Sequence, residues 1–415
     1  MKELSLKKNI VYNSIGSFTN MFCQWVITFI VIRISGETAS GVLALAMSFG
    51  SIFLIIAAFG VKTYQISDVQ EKYTDREYIA SKIITCVIGL VAMFIWVGIS
   101  SYYTEEKLAS ILYIIYMVIY SYADVLYGVQ QRKWRLDIAG KSMCIRSILT
   151  LASFCLILFL TQNINITFVC MIIISLLVLL IYDFPQTRVL TNIRPDFNIR
   201  IIKGILFECF PLAAYALLHT LVLTVPKLFL REFYGQEFLG IYNPIMSPIT
   251  VIAVVAGFVI NPMITVFASH FHIGDLRNLF KDFMKCILLL VGLLVASLLG
   301  VYIFGDIILN ILLGSGKSVY SYLLPPMVIV TILTSLTILA GNLCVVLRDI
   351  TGLIISGILG YVSAMGTSFI FVKKYDMIGT CYTLMIALGV QILILTVSVA
   401  LKLKKRRSIK GDNNI

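Results

Sequence analysis

Charge is what this chain has least of. Only 13% of its 415 residues are Asp, Glu, Lys or Arg, about half the share of an ordinary soluble domain. A surface so poor in charge is not one that water solvates. With 59% hydrophobic residues and a mean hydropathy of +0.96, the main solvent is lipid. The nine cysteines contain no Cys-x-x-Cys pair and sit singly, several inside apolar runs (Cys23, Cys86, Cys155, Cys286). That excludes a zinc site or a disulfide framework as the organising element. Proline is nearly missing from the first half. Seven of nine fall after residue 210, at Pro211, Pro226, Pro244, Pro248, Pro262, Pro325 and Pro326. Proline in a membrane helix frees a carbonyl and kinks the chain, so the second half is expected to move more. Long polar segments are missing too, which leaves no room for a catalytic domain outside the membrane.

What is present is a series of apolar runs. Twelve spans are expected, near 10–34, 40–61, 79–101, 108–129, 142–161, 165–184, 203–230, 238–262, 283–304, 319–345, 350–372 and 377–401. About 20 apolar residues suffice for one helical crossing. Barrel strands would be about 10 residues long and alternating, whereas these runs are continuous. The fold class is therefore all-α, a polytopic membrane protein. The start, "MKELSLKKN", precedes a run too long and too polar-studded for a cleaved signal peptide, and reads as a retained first span.

Basic residues orient the spans. With the N-terminus cytoplasmic, 26 Lys and Arg fall in inside segments and 7 outside, which places both termini in the cytoplasm. The net charge of +12 then belongs to short loops beside spans. Anionic membrane lipids are the expected partner, and no nucleic acid is.

A register of about 199 residues relates the two halves. Gly36 and Gly41 bracket a polar turn in "ISGETASGVLALA", as Gly235 and Gly240 do in "YGQEFLGIYNPIM". Ser48 matches Ser247 and Ser51 matches Thr250. At 200, Asp75 matches Asp275 and Cys86 matches Cys286. The expectation is two six-helix lobes in a parallel pseudo-repeat. Residues 1–184 form the N-terminal lobe, 185–202 a cytoplasmic linker, 203–402 the C-terminal lobe and 403–415 a basic cytoplasmic tail.

Polar residues inside the spans are the candidate site. Asn13, Ser17, Asn20, Gln24 and Thr28 lie on one face of the first span. Glu208, Tyr215, His219 and Lys227 share a face of the seventh, and the eighth adds Asn243, Ser247 and Thr250. Such stripes face either neighbouring helices or a hydrated cavity. Intramembrane charges cost roughly 2.5–3.5 kcal/mol each on insertion scales and suggest function. Glu208, Asp124 and Arg146 are of this kind, Asp124 and Arg146 being candidates to pair with one another. Arg33, Lys227 and Arg231 lie near outer ends, where they can also snorkel. Span four carries Tyr113, Tyr116, Tyr120, Asp124 and Tyr127 on one face, suited to sugar rings or to packing.

"GSGKS" at 314–318 lacks the glycine and the strand of a phosphate loop, Ile311 standing where glycine is needed. "HFH" at 270–272 has no carboxylate or Cys cluster beside it in the sequence. No cofactor, metal site or nucleophile–base pair is expected.

Three stretches carry a family resemblance. "RISGETASGVLALAMSFGSIFLIIAAFG" (33–60), "FYGQEFLGIYNPIMSPITVI" (233–252) and "DVLYGVQQRKWRLDIAGKSMCIRSIL" (124–149) resemble the polysaccharide transporters. These are the repeat-unit flippases of bacterial surface-glycan synthesis, in the superfamily of multidrug and toxin extruders. Two departures stand out. The first turn lacks the Pro and Tyr frequent in the family, and Ala57, Ala58 and Phe59 precede Gly60 where an acid often stands. The resemblance implies a bacterial cytoplasmic-membrane protein, not an enzyme. It would flip a polyprenyl-diphosphate-linked oligosaccharide to the outer leaflet by alternating access. A coupling proton or Na+ and a glycan polymerase are the implied partners. Substrate and lumen candidates are Asn20, Gln24, Arg33, Arg146, Glu208, His219, Lys227, Arg231 and Asn243. The alternatives are an ion-coupled multidrug exporter and a membrane-embedded glycan polymerase or ligase.

Overall fold

The computed structural model describes residues 5–68, 70–246, 249–314 and 316–412. Among these, nine helices are long and apolar enough to cross a membrane, or ten if α9 and α10 form one span. The first helix, α1 (Leu6–Ala58), shows why the number of crossings is larger. Its 53 residues would run about 80 Å if straight, far beyond a hydrocarbon core of about 30 Å. The backbone breaks at Gly36, with φ 81° and ψ −172°, a region that only glycine occupies without strain. A second break, at Tyr375–Asp376, divides α14 (Lys373–Asp412). Counting α1 and the 54-residue run Ile350–Leu403, which the second break divides, as two crossings each, and α9 with α10 as one, gives the twelve spans expected from sequence.

The remaining helices are α2 (Val61–Ser67), α3 (Asp75–Ile99), α4 (Thr104–Arg132), α5 (Leu136–Thr161), α6 (Ile164–Val178) and α7 (Phe184–Leu190). One wide turn, Leu179–Asp183, joins α6 to α7. Then come α8 (Ile199–Tyr234), α9 (Gln236–Met246), α10 (Thr250–Ile273), α11 (Leu276–Leu313), α12 (Leu324–Val346) and α13 (Ile350–Thr367). Large apolar side chains stand exposed on the outer faces, Phe94, Phe159, Phe207 and Ile303 among them, as lipid-facing surfaces require.

Contacts divide the chain into two units, Met1–Thr220 and Leu221–Ile415. The division falls inside α8 rather than at 185–202. That segment is pinned to the first unit: Arg76 Nε donates to the Arg194 carbonyl at 3.0 Å, and Asp196 N donates to the Arg76 carbonyl at 3.2 Å. In the first unit, Val61, Tyr78, Leu126, Ile205 and Cys209 form one buried cluster. Ile27, Tyr113, Phe154 and Phe168 belong to another. The second unit has its own core around Phe267, Leu290, Leu339 and Leu343.

Gly36 and Gly235, one register apart in sequence, both have positive φ, 81° and 89°. Gly41 and Gly240 do not bracket the turns as expected; both are buried inside helices. α3 starts under a capping box, Glu77 N donating to Thr74 Oγ1 at 3.4 Å and Thr74 N to Glu77 Oε2 at 2.7 Å. Asp275, the partner of Asp75 in the sequence register, caps α11. α8 runs as continuous helix through Pro211 and Pro226. Of the expected tail, 403–412 continues α14, and 413–415 lie outside the described residues.

Candidate functional site

In the first unit, the polar stripe of α1 meets the tyrosine face of α4. Asn20 Nδ2 donates to the Tyr120 hydroxyl at 3.3 Å, and Asn20 Oδ1 accepts from Ser147 of α5 at 3.0 Å. One turn on, Gln24 Nε2 donates to the Tyr116 hydroxyl at 3.4 Å. Ser17 reaches the Met143 sulfur at 3.9 Å. Heptad-like spacing on both helices brings this ladder of amides and phenols together, since residues three and four apart share a face. Tyr113, Tyr116 and Tyr127 are buried, whereas Tyr120 is half-buried.

Arg146 of α5 continues the ladder inward. Its guanidinium lies 5.9 Å from the Tyr120 ring centroid. It donates to Ser175 Oγ at 2.8 Å and to Asp183 Oδ2 at 2.5 Å. The expected pairing of Arg146 with Asp124 is therefore absent. Asp124 takes Lys62 of α2 instead, at 2.7 Å. The reason is the wide turn at Leu179–Asp183, which carries Asp183 into the interior beside Arg146.

Glu208 of α8 is likewise engaged. It accepts from the Tyr64 hydroxyl, from Lys72 Nζ at 2.5 Å and from the Tyr73 hydroxyl at 3.2 Å. These donors come from α2 and the α2–α3 connection, which fold against α8. The Glu208 hydrogen bond pushes the Tyr64 phenol up to about 12. In the same connection, desolvation pushes the Asp68 carboxyl up. The backbone N–H groups of Tyr73 and Lys72 and the Tyr78 hydroxyl outweigh it and hold that carboxyl below its ordinary value.

In the second unit, Lys227 of α8 donates to Asn243 Oδ1 of α9 at 3.3 Å. No carboxylate lies within ion-pair distance of it among the described residues. Arg231 pairs with its neighbour Glu232 at 3.2 Å. In the part of α8 that belongs to the first unit, His219 stacks on Tyr215 one turn before it, centroids 6.1 Å apart. Arg33 is exposed near the Gly36 break. Ser48 and Ser51 donate to carbonyls of their own helix, Ala44 and Met47, each at 2.8 Å. Such back-bonding satisfies a hydroxyl without a partner helix. Ser247 lies outside the described residues.

Two groups escaped the sequence reading. Asp183 sits at the end of an apolar run, and an acid inside "LLIYDF" was the available signal. Lys82 stands among the basic residues of the 62–82 stretch in the sequence. It is fully buried and donates to the Ala57 and Ala58 carbonyls, each at 3.3 Å. α1 ends there, with Phe59 at φ 47°. Carbonyls left without helical donors accept a cation well. His270 of the "HFH" stretch pairs with Asp282 at 3.2 Å. The described residues contain no cluster of three or more metal-ligating side chains.

A family model for polysaccharide biosynthesis proteins matches residues 6–268. The chain belongs to the polysaccharide biosynthesis protein family. The capsular polysaccharide biosynthesis protein CapF of Staphylococcus aureus is 26% identical over 283 residues, 67% of each chain. Solved structures share the fold at low identity. An inward-facing multidrug resistance MATE family transporter of the MOP superfamily aligns with TM-score 0.71 and 12% identity, over 97% of this chain and 99% of that one. The lipid II flippase MurJ, in an inward closed conformation, aligns with TM-score 0.73 and 15% identity, over 94% and 87%. This polysaccharide biosynthesis family member is thus an all-α, multi-pass membrane protein with the fold of a transporter superfamily. The resemblance carried by the two glycine hairpins and the segment 124–149 agrees with the family found.

Proposed function

We propose that the protein flips a polyprenyl-diphosphate-linked oligosaccharide from the inner to the outer leaflet of a bacterial cytoplasmic membrane. Two lobes of six helices, with both termini in the cytoplasm, give alternating access. The headgroup needs hydrogen-bonding partners and positive charge on its way, while the polyprenyl tail stays in lipid. Family membership supports the polysaccharide pathway, and the lipid II flippase MurJ offers an analogy on the same fold.

One observation carries the choice of headgroup chemistry. Lys227 is a cation within a membrane-spanning helix, and its partner is the neutral amide of Asn243. An ammonium held by an amide keeps its charge available to a diphosphate, which a carboxylate would neutralise. The same argument removes Arg146 as the inner diphosphate contact, because Asp183 already neutralises it. The amide–phenol ladder of Asn20, Gln24, Tyr116 and Tyr120 supplies hydroxyl-binding groups. Arg231 is set aside on the same ground as Arg146, because Glu232 pairs with it. The multidrug reading is less well supported, because the carboxylates it would use for cationic drugs, Asp124 and Glu208, carry lysine partners.

The experiment is to delete the gene in its own cell and follow the lipid-linked glycan. Wild-type protein should clear the intermediate that accumulates, and Lys227→Ala, inserted at normal levels, should not. Clearance by Lys227→Ala at the wild-type rate would overturn the assignment of Lys227.

A further inference from the structure

At the end of the first unit where α1 begins, a cavity of about 550 Å³ opens, within the usual range of about 300–1,000 Å³ for ligand pockets. Asn13 and Ser14 of α1, Asp68 and Glu71 of the α2–α3 connection, and Gln131 and Trp134 beside the end of α4 line it. Trp134 is 46% exposed and has φ 54°. A non-glycine residue in the left-handed region is strained, and a turn alone would be better served by Gly or Asn. The position is nevertheless enforced. Asn9, 1% exposed, donates from Nδ2 to the Trp134 carbonyl at 3.0 Å and accepts the Leu136 N–H on Oδ1 at 2.8 Å. A buried amide thus grips both sides of an exposed indole. Strain enforced in this way is a reason to look for function.

The lining decides the ligand class. Arg132, the cation of the wall, is bonded to Asp75 at 2.9 Å and faces Glu71 at 3.7 Å. A phosphate therefore finds no unpaired cation there among the described lining residues. Asn13 and Ser14 make no side-chain hydrogen bond to another described residue and are free to bond hydroxyls. An aromatic face, neutral amides and hydroxyls, and an exposed carboxylate suit a sugar ring, whose C–H face is apolar and whose rim donates and accepts.

We propose that this cavity takes a sugar ring of the lipid-linked oligosaccharide, stacked on Trp134 and hydrogen-bonded to Asn13, Ser14 and Glu71. It rests on the flippase reading above, and adds that glycans are selected here before they move. The diphosphate binds elsewhere.

Trp134 is one of three tryptophans, so a Trp25→Phe/Trp96→Phe protein reports from Trp134 alone. It is titrated in nanodiscs with the water-soluble oligosaccharide released by mild acid from the cell's lipid-linked pool, and separately with inorganic diphosphate. The expected result is a saturable change in emission with the oligosaccharide, none with diphosphate, and affinity about tenfold weaker in Asn13→Ala. No change, or an equal response to diphosphate, overturns the proposal. Should the double variant not fold, the thermal shift that the same oligosaccharide gives wild-type protein is compared with that of Trp134→Phe and Trp134→Ala. A full shift in Trp134→Ala is the overturning result. Deletion cells separate the two levels. If deletion leaves the lipid-linked intermediate unchanged, the flippase reading fails. If it accumulates and Trp134→Ala clears it at the wild-type rate, the sugar site alone fails.

Discussion

Arg146 and Asp183 close an ion pair of 2.5 Å in the interior of the first unit, their side chains 1% and 0% exposed. Removing one member of such a pair strands the other charge without solvent, at a cost of about 3–5 kcal/mol. Arg146→Ala should therefore lower the thermal stability of the detergent-solubilised protein and its yield in membranes. The double change Arg146→Met/Asp183→Leu should recover most of both. A stable Arg146→Ala protein would show that the pair is not internal.

Lys227 gives the opposite pattern. Its amide partner is neutral, so Lys227→Ala should insert and melt like wild type while glycan export falls about tenfold or more. Each tenfold corresponds to about 1.36 kcal/mol of lost stabilisation along the path. Lys227→Arg should restore much of the rate, because charge is what a diphosphate needs. Export is read as surface glycan per cell at matched protein level.

α1 and α5 touch backbone to backbone. A Cβ built on Gly16 would stand 2.7 Å from the Cα of Gly140, with no side chain there able to move aside. Gly16→Val should force the helices apart and destabilise by about 1–3 kcal/mol. A cysteine pair placed on α1 and α5 one turn away should then cross-link more slowly than in the parent.

Asp68 ties together the α2–α3 connection, accepting from the Lys72 and Tyr73 N–H groups at 3.0 Å each and from the Tyr78 hydroxyl at 2.8 Å. Its folded pKa lies below the ordinary value. Its contribution is therefore complete above the unfolded value of about 3.9 and is lost as pH falls through the folded one. Amide exchange of the connection should be faster in Asp68→Ala than in wild type at neutral pH. The difference, corrected for intrinsic rates, should close in strong acid. A gap that persists there would mean the carboxylate charge is not what holds the connection.

The crossings were legible because hydropathy is one-dimensional. A run of about 20 apolar residues declares itself, and Gly36 and Gly235 announced their breaks. The α1 stripe was legible from its spacing, and the tyrosine face of α4 from its own. Which polar group meets which was not. Asp183 reaches Arg146 across 37 residues through a wide turn that no apolar pattern signals. Lys72 and Tyr64 reach Glu208 because α2 and the α2–α3 connection fold back on α8, which no apolar pattern signals. Lys82 sits near a span end in the sequence, and nothing beside it there signals the end of α1 that buries it.

The most direct measurement of the central claim is flipping in vesicles. Purified protein is reconstituted with a polyprenyl-diphosphate oligosaccharide, a proton or sodium gradient of either sign is imposed, and the sugar is exposed to a membrane-impermeant glycan-cleaving enzyme. The account predicts that wild-type protein makes the whole pool cleavable, while protein-free and Lys227→Ala vesicles keep the inner-leaflet half protected. An inner half that stays protected with wild-type protein under every gradient, in vesicles that do expel a cationic dye, would contradict it.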